Sequence, residues 1–167
     1  MQTDKTIILT STQIEHKIRR IAFQTYESNI EEKTVVIAGI VENGYKIAQK
    51  LKSAVESISD IKVILCEVHI DKKNPLNTIS TSIPSDEYKE QSIVLVDDVL
   101  HSGTTLIYGV RHFLNVPLKR FKTAVLVNRS HKKYPVKADF KGISLSTSFN
   151  ENVKVIIDDA DMQVILE

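Results

Sequence analysis

An α/β fold built on a mostly parallel central sheet, with flanking helices, is predicted by three features of the chain. Apolar runs rich in β-branched residues at Thr34–Val41, Ile61–Ile70, Ile93–Val96 and Ala124–Val127 have the character of buried strands. Two of the segments between them repeat apolar residues at helical spacing. Strands that alternate with helices in this way lie parallel to one another through right-handed crossovers.

The elements follow in order. Thr12-Gln13-Ile14-Glu15 has the form of a capping box, and Ile14, Ile18, Ile21 and Ala22 mark one face of a peripheral helix running to about Ser28. After the strand Thr34–Val41, Glu42-Asn43-Gly44 reads as a turn into a helix with Ile47, Ala48, Leu51 and Val55 on one face. In Ile61–Ile70, Ile64, Cys66, Val68 and Ile70 alternate against Glu67 and His69, giving a second strand. Periodicity disappears from Asp71 to Gln91, a stretch with Pro75 and Pro84 among many Ser, Thr, Asn and Lys residues. Segments of this kind are functional or mobile, so a hairpin arm or lid is expected there. Ile93–Val96 is the third strand, Leu106, Ile107, Val110, Phe113 and Leu114 mark the next helix, and Ala124–Val127 is the fourth strand. Val153–Ile157 and Met162–Leu166, around the acidic turn Asp158-Asp159-Ala160-Asp161, close the chain as a small β hairpin.

At 167 residues, with no Pro/Gly/Ser-rich linker, residues 1–167 are expected to form one domain. The net charge of +1 offers no global attraction for nucleic acid. Basic clusters exist at Lys17/Arg19/Arg20, at Lys119/Arg120/Lys122 and at Arg129/His131/Lys132/Lys133, each short enough for an ordinary solvated face. No apolar run approaches membrane-spanning length, and Met1–Lys5 lacks the basic-then-apolar layout of a signal peptide, so a cytoplasmic protein with no membrane partner is expected. Cys66 is the single cysteine and reads as a buried structural thiol, and no Cys/His spacing suits a metal centre.

The densest chemistry lies in Ser92–Thr105, where an apolar strand runs into Asp97-Asp98, then Val99-Leu100-His101, then the hydroxyl-and-glycine loop Ser102-Gly103-Thr104-Thr105 ahead of a helix. Loop N–H groups and the positive end of a helix dipole converge at such a junction and favour a phosphate. Gly103 permits positive φ and close backbone approach, and the hydroxyls of Ser102, Thr104 and Thr105 add donors. No Gly-Lys-Ser/Thr and no Gly-x-Gly-x-x-Gly is present, which excludes a nucleotide P-loop and a dinucleotide fingerprint. Asp97 and Asp98 can accept hydrogen bonds from neighbouring hydroxyls or approach Mg²⁺. In a parallel sheet, ligands bind beyond the carboxyl ends of the strands, where Glu42, Asp97, Asp98 and Asn128 would all sit.

Val-Asp-Asp-Val-Leu-His-Ser-Gly-Thr-Thr at 96–105 resembles the 5-phosphoribosyl-1-diphosphate (PRPP) signature of type I phosphoribosyltransferases. The segment Ala124–Phe140, together with Arg20-Ile21-Ala22, Gly39-Ile40, Gly44, Ala48–Leu51 and the closing hairpin, is similar to the pyrimidine operon regulators of that family. The resemblance implies a type I phosphoribosyltransferase core that is homodimeric or larger. It also implies that PRPP or UMP is bound with Mg²⁺, that uracil is converted to UMP, and that RNA is a possible partner. It places Asp97 and Asp98 as acids contacting ribose hydroxyls and Mg²⁺, and Ser102–Thr105, with Val99 and Leu100, around the 5′-phosphate. Glu42, Asn43 and Gly44 fall on the diphosphate loop, and Asn128 and Arg129 are further candidate substrate-binding residues.

Two departures bear on activity. Relatives carry Lys-Thr-Arg-Gly where this chain has Val41-Glu42-Asn43-Gly44, so two cations are absent and a carboxylate is added, unless Mg²⁺ or Lys46 compensates. His101 replaces a tyrosine of the regulators and could exchange a proton with a base or only hydrogen-bond it. Three readings follow: a uracil phosphoribosyltransferase, a non-catalytic nucleotide sensor acting on RNA or protein, and a purine phosphoribosyltransferase.

Overall fold

The computed structural model describes residues 4–129, 131–148 and 150–167; Met1 to Thr3, Ser130 and Phe149 lie outside them. The chain runs β1 (Thr6–Leu9), α1 (Ser11–Ser28), β2 (Thr34–Ile40), α2 (Asn43–Ile58), β3 (Lys62–His69), β4 (Ser80–Thr81), α3 (Ser85–Tyr88), β5 (Ser92–Leu100), α4 (Thr104–Phe113), β6 (Arg120–Arg129), β7 (Phe140–Leu145), β8 (Val153–Ile157) and β9 (Met162–Leu166). The main sheet has the order β4-β3-β2-β5-β6-β7. Its pairs from β3 to β7 are parallel, and β4 alone is antiparallel. The expected α/β architecture is therefore present, with a separate antiparallel sheet β1-β9-β8 that contains the terminal hairpin.

Strand alternation divides the core into two layers. Val35, Ile37, Val94, Val96, Ala124 and Leu126 face α1, α2 and the small sheet. Val36, Ala38, Ile93, Leu95 and Val125 face α4 and the arm, where Leu106, Phe113 and Tyr88 complete the packing. Both faces of β2 and β5 are thus covered, which is why these strands read as unbroken apolar runs.

Several elements differ from the sequence expectation. The capping box lies two residues earlier: Gln13 N donates to Thr10 Oγ1 and Thr10 N to Gln13 Oε1 at 2.9 Å, because Thr10 leaves β1 in an extended conformation. Helix α1 buries the expected face, Ile14, Ile18, Ile21 and Ala22, in the core and leaves its other side toward solvent. Glu42-Asn43-Gly44 is not a free turn, because α2 begins at Asn43. Leu114 ends α4 as its C-cap and is 61% exposed, so the buried stripe is Leu106, Gly109 and Phe113. The arm 71–91 is partly ordered: β4 pairs with β3, and Tyr88 is buried edge-on against Phe113 at 4.9 Å between ring centres. Outside the arm, two strands went unpredicted. β1 is four residues long and pairs with β9 at the far end of the chain, while β7 is an edge strand interrupted by Lys141 and Gly142. At Gly142 a Cβ would stand 2.5 Å from the Leu126 carbonyl, so the glycine permits that edge pairing. No described helix is long and apolar enough to cross a membrane.

Candidate active site

The carboxyl ends of β2, β3, β5 and β6 meet at one edge of the sheet, and the residues singled out in the sequence gather there. Strand β5 does not stop before the acids; Asp97 pairs with Val125 and Leu100 with Asn128, so both carboxylates belong to the strand. Successive strand residues point to opposite faces. Asp98 turns toward α2, where its Oδ2 accepts from Asn43 Nδ2 at 3.1 Å and its Oδ1 from Val99 N at 2.8 Å. Asp97 is 3% exposed, and its Oδ1 accepts from Asp98 N at 2.9 Å. Burial first, and then the Asp98 charge, push its carboxyl up to about 8, against an opposing contribution from Lys72.

That lysine has no signature in the sequence. Lys72 follows β3, and its Nζ stands 3.5 Å from Asp97 Oδ1. A Lys-Lys pair in a polar turn carries no periodic signal, and the contact spans 25 residues.

Glycine 44 and its neighbours perform packing work. A Cβ on Gly44 would lie 2.7 Å from the Val96 carbonyl and 3.0 Å from Asp97 Cα, so only glycine lets α2 approach β5 beside the acids. Asn43 also donates to the Val155 carbonyl at 2.9 Å, and Lys46 Nζ donates to the Ile157 carbonyl at 3.2 Å. Both side chains fasten strand β8 to the start of α2. The Val41–Glu42 peptide between β2 and α2 is cis.

The loop after β5 forms a small concavity of about 60 Å³, lined by Asp97 and by every residue from Val99 to Leu106. Leu100 is buried in the α4-side core and Val99 is half-buried against the other layer, so their side chains shape the loop from beneath. Gly103 has φ +86° and precedes the first residue of α4, the left-handed conformation that glycine adopts freely. The Ser102 and Thr104 hydroxyls are 2.9 Å apart, and Thr104 N donates to Ser102 Oγ at 3.3 Å. This leaves α4's N-terminal donors and the Thr105 hydroxyl at the concavity, the arrangement that suits an anion.

A segment after β6 braces the loop from outside. The Ser102 carbonyl accepts from Lys133 N at 2.7 Å and Tyr134 N at 3.1 Å, and a Cβ on Gly103 would meet Val136 Cγ1 at 2.6 Å. In the sequence this segment stands out as a basic cluster and as part of the stretch Ala124–Phe140 that resembles the family's regulators. Its Arg129 is buried, donating to Thr147 Oγ1 at 2.8 Å and to the Glu151 carbonyl at 2.8 Å, so the guanidinium is directed at those two residues. Arg20, another member of the expected basic face, donates to the Lys141 and Gly142 carbonyls of β7. His101 is exposed beside the concavity, with its ring 6.4 Å from that of His131. Burial, then the Arg129 and His131 charges, hold it below its ordinary value, which keeps the imidazole neutral at pH 7. Asn128 donates to Ser144 Oγ at 3.3 Å, while its buried Oδ1 has no partner.

Among the described residues, no group of three or more His, Cys, Asp or Glu side chains could hold a metal unaided. Two neighbouring carboxylates do fit Mg²⁺, which keeps several waters and takes its remaining ligands from substrate oxygens.

A parallel sheet whose carboxyl edge carries paired acids and a glycine-and-hydroxyl loop at a helix N-terminus defines an α/β protein of the kind that places its ligand site beyond the strand ends. The sequence profile of the phosphoribosyl transferase domain matches residues 5–160, and the chain belongs to that family. Its relatives include the bifunctional protein PyrR of Macrococcus caseolyticus, 32% identical over 95% of this chain and 95% of the relative. The PyrR of Bacillus pumilus is 31% identical, covering 94% of this chain and 93% of the relative. Among solved structures, the hypoxanthine phosphoribosyltransferase of Trypanosoma cruzi superimposes with a TM-score of 0.76 at 18% identity, over 95% of each chain. A hypoxanthine-guanine phosphoribosyltransferase of Bacillus anthracis gives 0.74 at 16% identity, over 95% of this chain and 96% of the other. These structural likenesses establish the type I fold. The resemblance read in the sequence is thereby borne out at the level of family and fold.

Proposed function

We propose that this protein is a PyrR-like phosphoribosyltransferase that holds PRPP or UMP with Mg²⁺ and transfers the phosphoribosyl group to uracil. The observation that supports it most is the pairing of the buried Asp97 and the adjacent Asp98 with the concavity at Ser102–Thr105. In this reading the 5′-phosphate sits on the loop, and the carboxylates of Asp97 and Asp98 accept from the ribose hydroxyls and offer oxygens to Mg²⁺. The metal, when bound, neutralises charge on the departing diphosphate.

The reaction breaks the bond between ribose C1 and the diphosphate oxygen, which leaves with the electron pair. The lone pair of the uracil nitrogen forms the new bond to C1, and the N–H proton passes to solvent. Positive charge develops on the ribose in the transition state, so a carboxylate fixed beside the ring stabilises it. Neutral His101 stands at the loop as a hydrogen-bond partner for a ligand, and Asn128 Oδ1 is an unused acceptor at the end of β6.

A second reading, a nucleotide sensor without turnover, is favoured by the diphosphate side. Glu42 supplies a carboxylate there, and Lys46 and Asn43 are occupied with the hairpin carbonyls. Diphosphate release from PRPP, measured with a panel of nucleobases and with Asp98→Asn as control, separates the readings. Release with uracil that Asp98→Asn abolishes supports the transferase; UMP binding without release for any base supports the sensor; release only with hypoxanthine or guanine makes it a purine enzyme.

A further inference from the structure

We propose that Lys72 supplies the cationic contact to the diphosphate of PRPP that the loop 41–44 of this chain lacks. The inference rests on the phosphoribosyltransferase reading above and assigns a residue outside its signature. The sheet order β3-β2-β5-β6 puts the carboxyl ends of β2 and β3 on the side of the two acids away from β6. A ribose with its 5′-phosphate on the loop after β5, and its hydroxyls at Asp97 and Asp98, extends its C1 substituents toward that side. Diphosphate carries several negative charges, and a site for it requires fixed positive donors.

Two of the cations around this edge are committed elsewhere. Lys46 donates to the Ile157 carbonyl, and Arg129 is buried against Thr147 and Glu151. Lys72 differs from both. Its ammonium stands 3.5 Å from Asp97 Oδ1, while its side chain is 47% exposed and so retains room to move. The turn that presents it is built: Asp71 Oδ1 accepts from Lys73 N at 2.9 Å and Asn74 N at 3.2 Å, and Asp71 Oδ2 from Asn77 Nδ2 at 3.0 Å. An Asx turn of this kind fixes the backbone at the end of β3 and leaves only the lysine side chain to adjust. In the ligand-free protein the Lys72 ammonium stands beside Asp97 at the mouth of the site. Arriving diphosphate competes for the same ammonium with a larger charge, and the ribose hydroxyls take over Asp97.

The test is calorimetric titration of the parent protein, Lys72→Met and Lys72→Arg with PRPP plus Mg²⁺ and, separately, with UMP, which lacks the diphosphate. Loss of one charged hydrogen bond weakens PRPP binding by about tenfold to a hundredfold. For Lys72→Met that loss is expected for PRPP with UMP affinity held within about twofold, and Lys72→Arg is expected to restore most of it. A side chain that only stabilised the fold would lower both affinities together. Equal loss for the two ligands, or unchanged PRPP affinity, overturns the proposal while leaving the transferase reading standing. Failure of the parent protein to bind UMP and PRPP overturns both.

Discussion

The side-chain amide of Asn43 bridges Asp98 Oδ2 at 3.1 Å and the Val155 carbonyl at 2.9 Å, joining the start of α2, the acidic end of β5 and the C-terminal hairpin at one point. One short polar residue therefore positions a site carboxylate and docks the small sheet onto the large one.

Asn43→Ala leaves the half-buried Asp98 and a strand carbonyl without their donor, and a cost of about 1–3 kcal/mol is expected. Urea unfolding measures it. Asn43→Asp places a second carboxylate against Asp98 and is expected to lower stability further and to weaken PRPP binding more than the alanine variant does.

Gly44→Ala forces a Cβ to within 2.7 Å of the Val96 carbonyl and 3.0 Å of Asp97 Cα. Overpacking of this kind costs about 1–3 kcal/mol, because backbone rather than a flexible side chain has to yield. The expected result is a lower Tm together with loss of ligand binding, since the displaced strand carries the acids.

Asp97 gives a pH dependence with a definite sign. Its carboxyl sits at about 8 in the folded protein and about 3.9 in an unfolded chain. A group raised in this way contributes stability fully present below the unfolded value and lost as pH rises through the folded one. In Mg²⁺-free buffer, Asp97→Asn is expected to raise the Tm at pH 8 and above, with the gain shrinking toward pH 4, while ligand binding is lost. Thermal unfolding of both proteins across that range checks it.

His112 works in the opposite direction. Burial lowers its pKa, its Nε2 has no hydrogen-bond partner, and its ring packs edge-on against Phe113 at 5.5 Å. Protonation is opposed in the folded state, so stability present above about pH 6.5 is expected to decline as pH falls below it. His112→Leu should flatten that decline between pH 5 and 7, as followed by urea midpoints.

The parts of the molecule that were legible in the sequence are those with local signals. The strand and acids at 92–98, the glycine-hydroxyl loop, the apolar stripe of α2 and the terminal hairpin each carry their periodicity or turn chemistry within a dozen residues. What escaped depends on contacts between distant segments. β1 is defined by β9 at the other end of the chain, and β7 by its register against β6. Arg129 reads in the sequence as a substrate-binding residue, but its guanidinium is taken by partners 18 and 22 residues away, and Lys72, unmarked within the polar arm, owes its place to Asp97, 25 residues on. Charge in a sequence shows which residues could act, and only the fold shows which of them are already engaged.

The central claim, that the loop after β5 holds a ribose 5′-phosphate, is tested most directly by titrating UMP into the parent protein and into Thr105→Val. The Thr105 hydroxyl lines the concavity without bracing the loop's own hydrogen bonds. The account predicts saturable binding to the parent protein and a loss of about tenfold to a hundredfold in the variant, the worth of one hydroxyl bonded to a charged oxygen. No binding by the parent protein, or equal affinity for the two proteins, would contradict it.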